Sequence, residues 1–249
     1  MTQLVIALDI GGTYSRIGVY DSQKLVFFHQ CATKRGVLGL SEVILSLLEA
    51  CPFPIQSLSI GIPGTILNGS LLPGSARNIE SYPDELSNFN LSSLLPNNID
   101  AIFYNDAYVQ LFGSVEWYRS CHSFLDDMSF CFLGLGTGLG CAQVTYHKGT
   151  VLSSEMVSLA HLEDLLSGSA FHHLCDELSA ESALDIMADA LIKLVAKLGS
   201  FHYLIGGGFG MSQLGRILLD RVELLSDLPF GFYQIPSDVH PGLLGHTVL

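Results

Sequence analysis

The chain has 249 residues, 49% of them hydrophobic and 14% charged, which excludes a disordered protein and allows one large globular domain or two small ones. The formal net charge is −13 with only 11 Lys and Arg, which argues against a nucleic-acid partner. No apolar run reaches the roughly 18 residues of a membrane helix, and Met1-Thr2-Gln3-Leu4 lacks the basic start of a secretory signal. A cytoplasmic protein with no membrane partner is the expectation.

In chain order, Leu4–Leu8 is a short β-prone run that meets Asp9-Ile10-Gly11-Gly12-Thr13. Ser15–Tyr20 predicts a second strand, Asp21–Lys24 a turn, and Leu25–Phe28 a third strand. The opening is therefore a β-meander. Leu40, Val43, Ile44, Leu47 and Leu48 predict a helix over 38–50. Ser57–Ile62 reads as a strand ending in Gly61-Ile62-Pro63-Gly64, and 65–98 as mostly loop. A strand over Ile99–Tyr104 leads into Asn105-Asp106 and then a helix carrying Ala107, Leu111, Phe112, Val115 and Trp117.

The second half starts with Phe130–Leu133 and the glycine-rich Gly134–Gly140. Cys141–Tyr146 predicts a strand, 181–198 the clearest helix, and His202–Ile205 a strand ending in Gly206-Gly207-Gly208. Strand, glycine turn, strand and turn thus occur at 4–26 and again at 129–151. Gly11 and Gly136 are 136 − 11 = 125 positions apart, as are Val26 and Val151. A duplicated half-domain follows, with two similar α/β lobes around a cleft and a boundary between 107 and 127.

Six cysteines, Cys31, Cys51, Cys121, Cys131, Cys141 and Cys175, form no C-x-x-C pair. Their spacings suit neither zinc nor a disulfide framework, so most are expected to be buried free thiols in a reducing compartment.

The glycine turns carry the chemistry. A turn without Cβ atoms lets backbone N–H groups approach phosphate oxygens, and Thr13 and Thr137 add hydroxyls in equivalent places. Asp9 at a strand end suits a hydrated Mg²⁺. The bland alternative for both turns is an ordinary hairpin. No G-x-x-x-x-G-K-[ST] occurs, and G-x-G-x-x-G fails at Leu139 and Met211. Asp106 suits a base that takes a hydroxyl proton during attack on a γ-phosphate. Asn105 and Asp106 equally suit a helix N-cap, and Gly206–Gly208 a strand-to-helix turn. His161 and His172-His173 read as surface or core histidines, with no metal ligand set around them.

These motifs resemble the ATP-dependent sugar kinases of the ROK and bacterial glucokinase families. Asp9–Thr13 resembles their first phosphate motif, Gly61–Gly64 their G-x-P-G segment, and Gly134–Gly140 the second phosphate motif. Gly206–Gly208 resembles the adenosine motif, so Gly207 and Gly208 would border the nucleotide. Asn105-Asp106 resembles the family's sugar-binding Asn and catalytic Asp. Ala76–Ile79, with Asn78, and Glu163–Gly168, with Glu163, resemble two further sugar-contacting segments.

The family's Glu-x-x-His pair is stretched here to Glu155 and His161, six residues apart, so at most one of them keeps the family role. The family's C-x-C-G-x-x-G-C zinc segment is absent, so no structural zinc is expected.

The resemblance implies a two-lobed actin-like ATPase (ribonuclease H-like) fold with lobes 1–115 and 116–249 and an interlobe cleft. It further implies ATP and Mg²⁺, phosphorylation of a hexose-like sugar, and a homodimer. Asp106 would be the catalytic base, with Asp9 holding Mg²⁺ through water. Gly11, Gly12, Thr13, Gly136, Thr137 and Gly138 would hold phosphates. A non-catalytic sugar or nucleotide binder is the alternative. A repressor is disfavoured because the chain enters its first strand by residue 4.

Overall fold

The computed structural model describes residues 4–87, 89–199, 201–226 and 231–249. The chain opens with β1 (Leu4–Ile10), β2 (Tyr14–Asp21), β3 (Lys24–Ala32) and helix α1 (Gly36–Ala50). Next come β4 (Ser57–Ile62), a hairpin of β5 (Ile66–Leu67) and β6 (Ser70–Leu71), and β7 (Asp100–Asn105). Helix α2 (Asp106–Cys121) follows β7 directly. The second half runs β8 (Ser129–Leu135), β9 (Leu139–His147), β10 (Thr150–Met156), α3 (Glu163–Leu166), α4 (Gly168–Glu177) and α5 (Ala180–Leu198). It continues with β11 (His202–Gly206), α6 (Gly207–Gly210), α7 (Gln213–Leu225) and β12 (Phe232–Gln234), and α8 (Pro241–Leu244) lies near the C-terminus.

The strands form two five-stranded sheets, ordered β3-β2-β1-β4-β7 and β10-β9-β8-β11-β12. In each, the first three strands in sequence pair antiparallel and the last two join in parallel. The repeat is nearly residue-for-residue: adding 125 to β1, 4–10, gives 129–135, the span of β8. The α/β character, the meander openings and the duplicated half-domain are therefore as the sequence implied.

Two compact units result. One comprises the chain up to Gly113 together with His240–Leu249, and the other is Ser114–Val239. The division falls inside α2. The last ten residues count with the first unit, not with 116–249. Leu243 explains this, because it is fully buried in a small cluster with Ala7 of β1 and Tyr20 of β2.

Each unit has its own core. In the first, Leu8, Ile10 and Ile60 of the sheet pack with Leu40, Ile44 and Leu47 of α1, which recur at helical spacing. In the second, Leu133 and Ile205 pack with Ala183, Met187, Leu191 and Leu194 of α5. Helix α5 begins at Ser179, whose hydroxyl accepts from the Ser182 N–H, and ends at Gly199 with φ +103°.

The segment 65–98 is more ordered than a loop reading allows. It holds the β5–β6 hairpin, turned by Asn68 (φ +52°) and Gly69 (φ +78°), a short 3-10 turn over Leu91–Leu94, and buried Ala76, Ile79 and Leu86. These apolar anchors are irregularly spaced and so leave no period to read. All six cysteines are free, but only Cys131 and Cys141 are buried; Cys121 is exposed and the other three are half-buried. Among the described residues no helix is long and apolar enough to cross a membrane.

Candidate active site

In the first unit, β1, β4 and β7 run parallel and end together. Register places Asp9 beside Gly61, and Gly61 beside Tyr104, one residue before Asn105. The carboxyl ends of parallel strands are where α/β sheets place ligands. Asp106, the first residue of α2, lies over Gly61: a Cβ built there would stand 3.7 Å from the Asp106 Cα. Asp9 and Asp106 thus flank one glycine at one edge of the sheet.

Asn105 anchors this edge in two directions. Its Nδ2 donates to the Gly64 carbonyl at 2.8 Å, and its Oδ1 accepts from the Tyr108 N–H at 3.1 Å. The second bond is helix capping. The first ties the strand end to the Gly61–Gly64 segment. Asn78 meets the first glycine turn, since a Cβ on Gly12 would stand 3.2 Å from the Asn78 Cβ. Gly11 closes the turn with its N–H on the Tyr14 carbonyl at 3.0 Å, and its carbonyl accepts from Thr33 Oγ1 at 2.7 Å. Asp9, Gly11, Gly12, Asn78, Asn105 and Asp106 therefore belong to one strand edge and the loops beside it.

The two carboxylates differ in state. Asp9 is 6% exposed and forms an ion pair with Arg16 Nη1 at 3.0 Å. Burial pushes its pKa up, and Arg16, then His240, oppose that rise. Asp106 keeps part of its surface open, yet desolvation is the largest influence on its carboxyl. The negative charge of Asp9 adds to it, and the pKa is pushed up to about 7. Backbone N–H groups at the start of α2 pull the other way. A carboxylate poised near neutral pH suits a general base.

Arg16 went unnoticed in the sequence. The Asp9 to Arg16 spacing across a tight turn makes them cross-strand partners on β1 and β2, and that spacing was the available signal.

In the second unit, two glycine turns meet at the corresponding edge. Gly136 donates its N–H to the Gly138 carbonyl at 3.0 Å, and its carbonyl accepts from Gly168 at 2.6 Å. A Cβ on Gly136 would lie 3.9 Å from the Gly207 Cα and 4.0 Å from the Gly208 nitrogen. Gly207 has φ +77°, and a Cβ there would fall 2.5 Å from the backbone carbon of Leu135. Gly207→Ala is expected to lower the melting temperature by about 4 °C or more, because left-handed backbone costs a non-glycine about 1–2 kcal/mol before the clash is counted. A Cβ on Gly208 meets nothing within 4 Å, so Gly208→Ala is expected to leave the melting temperature unchanged. Thermal unfolding of both variants checks the contrast.

The remaining candidates are spread over the second unit. Glu155 is exposed on edge strand β10, opposite Gln143. His161 is exposed and lines an apolar cavity of about 340 Å³ whose other wall is α5; none of the glycine-turn residues lines it. Glu163 opens α3 half-buried, four residues before Ser167, which caps α4 by accepting from the Ala170 N–H at 3.0 Å.

For a divalent cation, Asp9 and Asp106 offer oxygen donors. No group of three or more His, Cys, Asp or Glu forms an ion cage among the described residues. Mg²⁺ does not need one: it keeps several waters and takes one or two carboxylates together with substrate phosphates. Asp9 fits that mode.

Comparison with solved structures gives whole-chain matches. The inorganic polyphosphate/ATP-glucomannokinase of Arthrobacter sp. strain KM superposes with a TM-score of 0.72 at 20% identity, covering 98% of this chain and 97% of that one. The glucokinase of Balamuthia mandrillaris in complex with glucose gives 0.69 at 15%, covering 98% and 92%. The ROK family glucokinase of Streptomyces griseus in complex with glucose and AMPPNP gives 0.63 at 16%, covering 98% of each chain. This chain has the fold of those sugar kinases. No protein-family model and no curated protein matches its sequence. At such identities the likeness establishes the fold, and the chemistry must be argued from residues.

Proposed function

We propose that this protein is an ATP-dependent kinase that transfers the γ-phosphoryl group to a hydroxyl of a hexose or hexose-like sugar. The observation that carries the reading is the carboxylate pair Asp9 and Asp106 at one strand edge, with Asp106 pushed up to about 7. The whole-chain likeness to ATP-dependent and glucose-bound kinases supports it.

The first unit supplies the acceptor chemistry. Asp106 takes the proton of the sugar hydroxyl as that oxygen forms its bond to the γ-phosphorus, the bond to the ADP oxygen breaks, and ADP leaves with that electron pair. Asn78 and Asn105 orient sugar hydroxyls, and the bond from Asn105 to Gly64 holds its amide in one rotamer. Asp9, held in place by Arg16, would hold Mg²⁺ through water, and the ion would neutralise charge on the phosphate oxygens. Gly11, Gly12 and Thr13 receive phosphate oxygens.

The second unit supplies the nucleotide side. Gly136, Thr137 and Gly138 receive phosphates, Gly207 and Gly208 border the adenosine, and Glu163 adds a sugar contact. Open space beside Gly208 fits a flat base lying against backbone. Positioning and charge neutralisation provide most of the rate.

The test is ADP release from purified protein with ATP and Mg²⁺ over glucose, mannose, fructose, N-acetylglucosamine and N-acetylmannosamine. Sugar-dependent release supports the reading, and its absence across the panel with ATP bound refutes it for these sugars. A non-catalytic sugar or nucleotide binder is the second reading. It is favoured by exposed Glu155 and by His161 in an apolar cavity away from the glycine turns, and it predicts ligand binding without turnover.

A further inference from the structure

The C-terminal segment reaches Asp9. A Cβ built on Gly242 would stand 2.5 Å from the Asp9 Cγ and 2.6 Å from each of its carboxylate oxygens. Bare backbone at Gly242 therefore covers one face of that carboxylate. The neighbouring His240 ring stacks on Phe28 at 4.3 Å with a 5° interplanar angle, which fixes the approach to α8.

This segment is pinned at four more places. Leu243 is fully buried against the sheet, and a Cβ on Gly18 would meet its Cδ1 at 2.9 Å. A Cβ on Gly113 of α2 would fall 2.0 Å from the Pro241 carbonyl oxygen, and one on Gly245 would fall 2.0 Å from that of Val109. His246 is buried, with Nδ1 bonded to Ser59 Oγ at 2.6 Å and Nε2 3.3 Å from the Leu8 carbonyl. The backbone around Gly242 thus has little room to retreat from β1 or from α2. The Asp9 carboxyl is the end of a rotatable side chain, so it is the partner that yields.

We infer that Gly242 is a positioning residue for Asp9: the docked C-terminal segment leaves room for the carboxylate in one orientation only, the orientation that serves the divalent cation. The inference rests on the proposed role of Asp9. It makes the backbone of 240–246 part of the ion-binding apparatus. A side chain at 242 would displace the carboxylate while leaving both cores intact.

The experiment is a double-mutant cycle on the full chain with Gly242→Ala, Asp9→Asn and the combination. The readouts are Mn²⁺ affinity by electron paramagnetic resonance in the presence of a non-hydrolysable ATP analogue, and thermal unfolding. Groups that orient metal ligands are worth about 10–100-fold in affinity. Gly242→Ala is therefore expected to weaken Mn²⁺ about tenfold or more, with the melting temperature within about 4 °C of the parent. In the Asp9→Asn background the same substitution is expected to change little, because its effect passes through Asp9.

Full additivity would overturn the inference, as would unchanged Mn²⁺ affinity in the single variant. Loss of the fold in Gly242→Ala would overturn it too, by showing that the segment and not Asp9 gives way. A parent protein that binds Mn²⁺ and the analogue but phosphorylates no sugar would refute the kinase reading and leave the cycle interpretable.

Discussion

Asp106→Asn is expected to lower sugar-dependent ADP release by about 10²–10⁴-fold, the usual worth of a positioned general base. Asn fills the same space and keeps an oxygen for the N–H groups at the start of α2, so the fold should persist. What it lacks is a site for the proton of the attacking hydroxyl. The loss should appear in kcat, with nucleotide binding retained, because the glycine turns at 136–138 and 206–208 belong to the other unit. Single-turnover measurement with excess enzyme separates chemistry from product release. A variant within threefold of the parent would remove Asp106 from the mechanism.

The raised pKa of Asp106 has two consequences of opposite sense. As the proposed general base Asp106 must be ionised to act, so kcat/KM should climb about tenfold per pH unit below about 7 and level off above it. Stability runs the other way. The ordinary value is 3.8 and the folded value about 7, so the native state binds this proton more tightly than the unfolded chain does. The contribution is complete below about 3.8 and is lost as pH rises through about 7. Asp106→Asn cannot ionise and escapes that loss.

The variant should therefore unfold at a higher temperature than the parent at pH 8, and the gap should shrink toward pH 5. One pKa unit corresponds to about 1.4 kcal/mol; the partial solvent access of Asp106 holds the gain to a few kcal/mol. Melting curves of both proteins from pH 5 to 8 check this. A gap that stays constant with pH would mean that Asp106 ionises normally. Greater stability together with lost turnover is the pattern expected of a functional carboxylate held in an unfavourable place.

Much of the fold was legible because the repeat is nearly exact. The offset read from Gly11 and Gly136 is the offset between β1 and β8, and the strand at Ser57–Ile62 was bounded correctly by its glycine and proline. Asn105 and Asp106 were legible as a strand end meeting a helix start. Of that pair, Asn105 caps α2, and Asp106 carries the carboxyl that burial pushes up.

Other features left weaker traces. The β5–β6 hairpin had its signal in Asn68-Gly69, a dipeptide suited to positive φ at both positions, but two-residue strands show no alternation. A four-residue helix has no period to read, and the place of the C-terminal segment depends on Leu243 packing against Ala7 of β1 and Tyr20 of β2. Gly113 and Gly245 approach the backbone, and Gly242 the Asp9 side chain, of segments more than a hundred residues away, and no local pattern encodes these approaches.

The most direct test of the kinase reading is product analysis by mass spectrometry after incubation with ATP, Mg²⁺ and each sugar of the panel. The account predicts a sugar carrying one added phosphoryl group, formed in equal amount with ADP and missing with Asp106→Asn. ADP without phosphorylated sugar, or a phosphorylated sugar that the variant forms equally well, would contradict it.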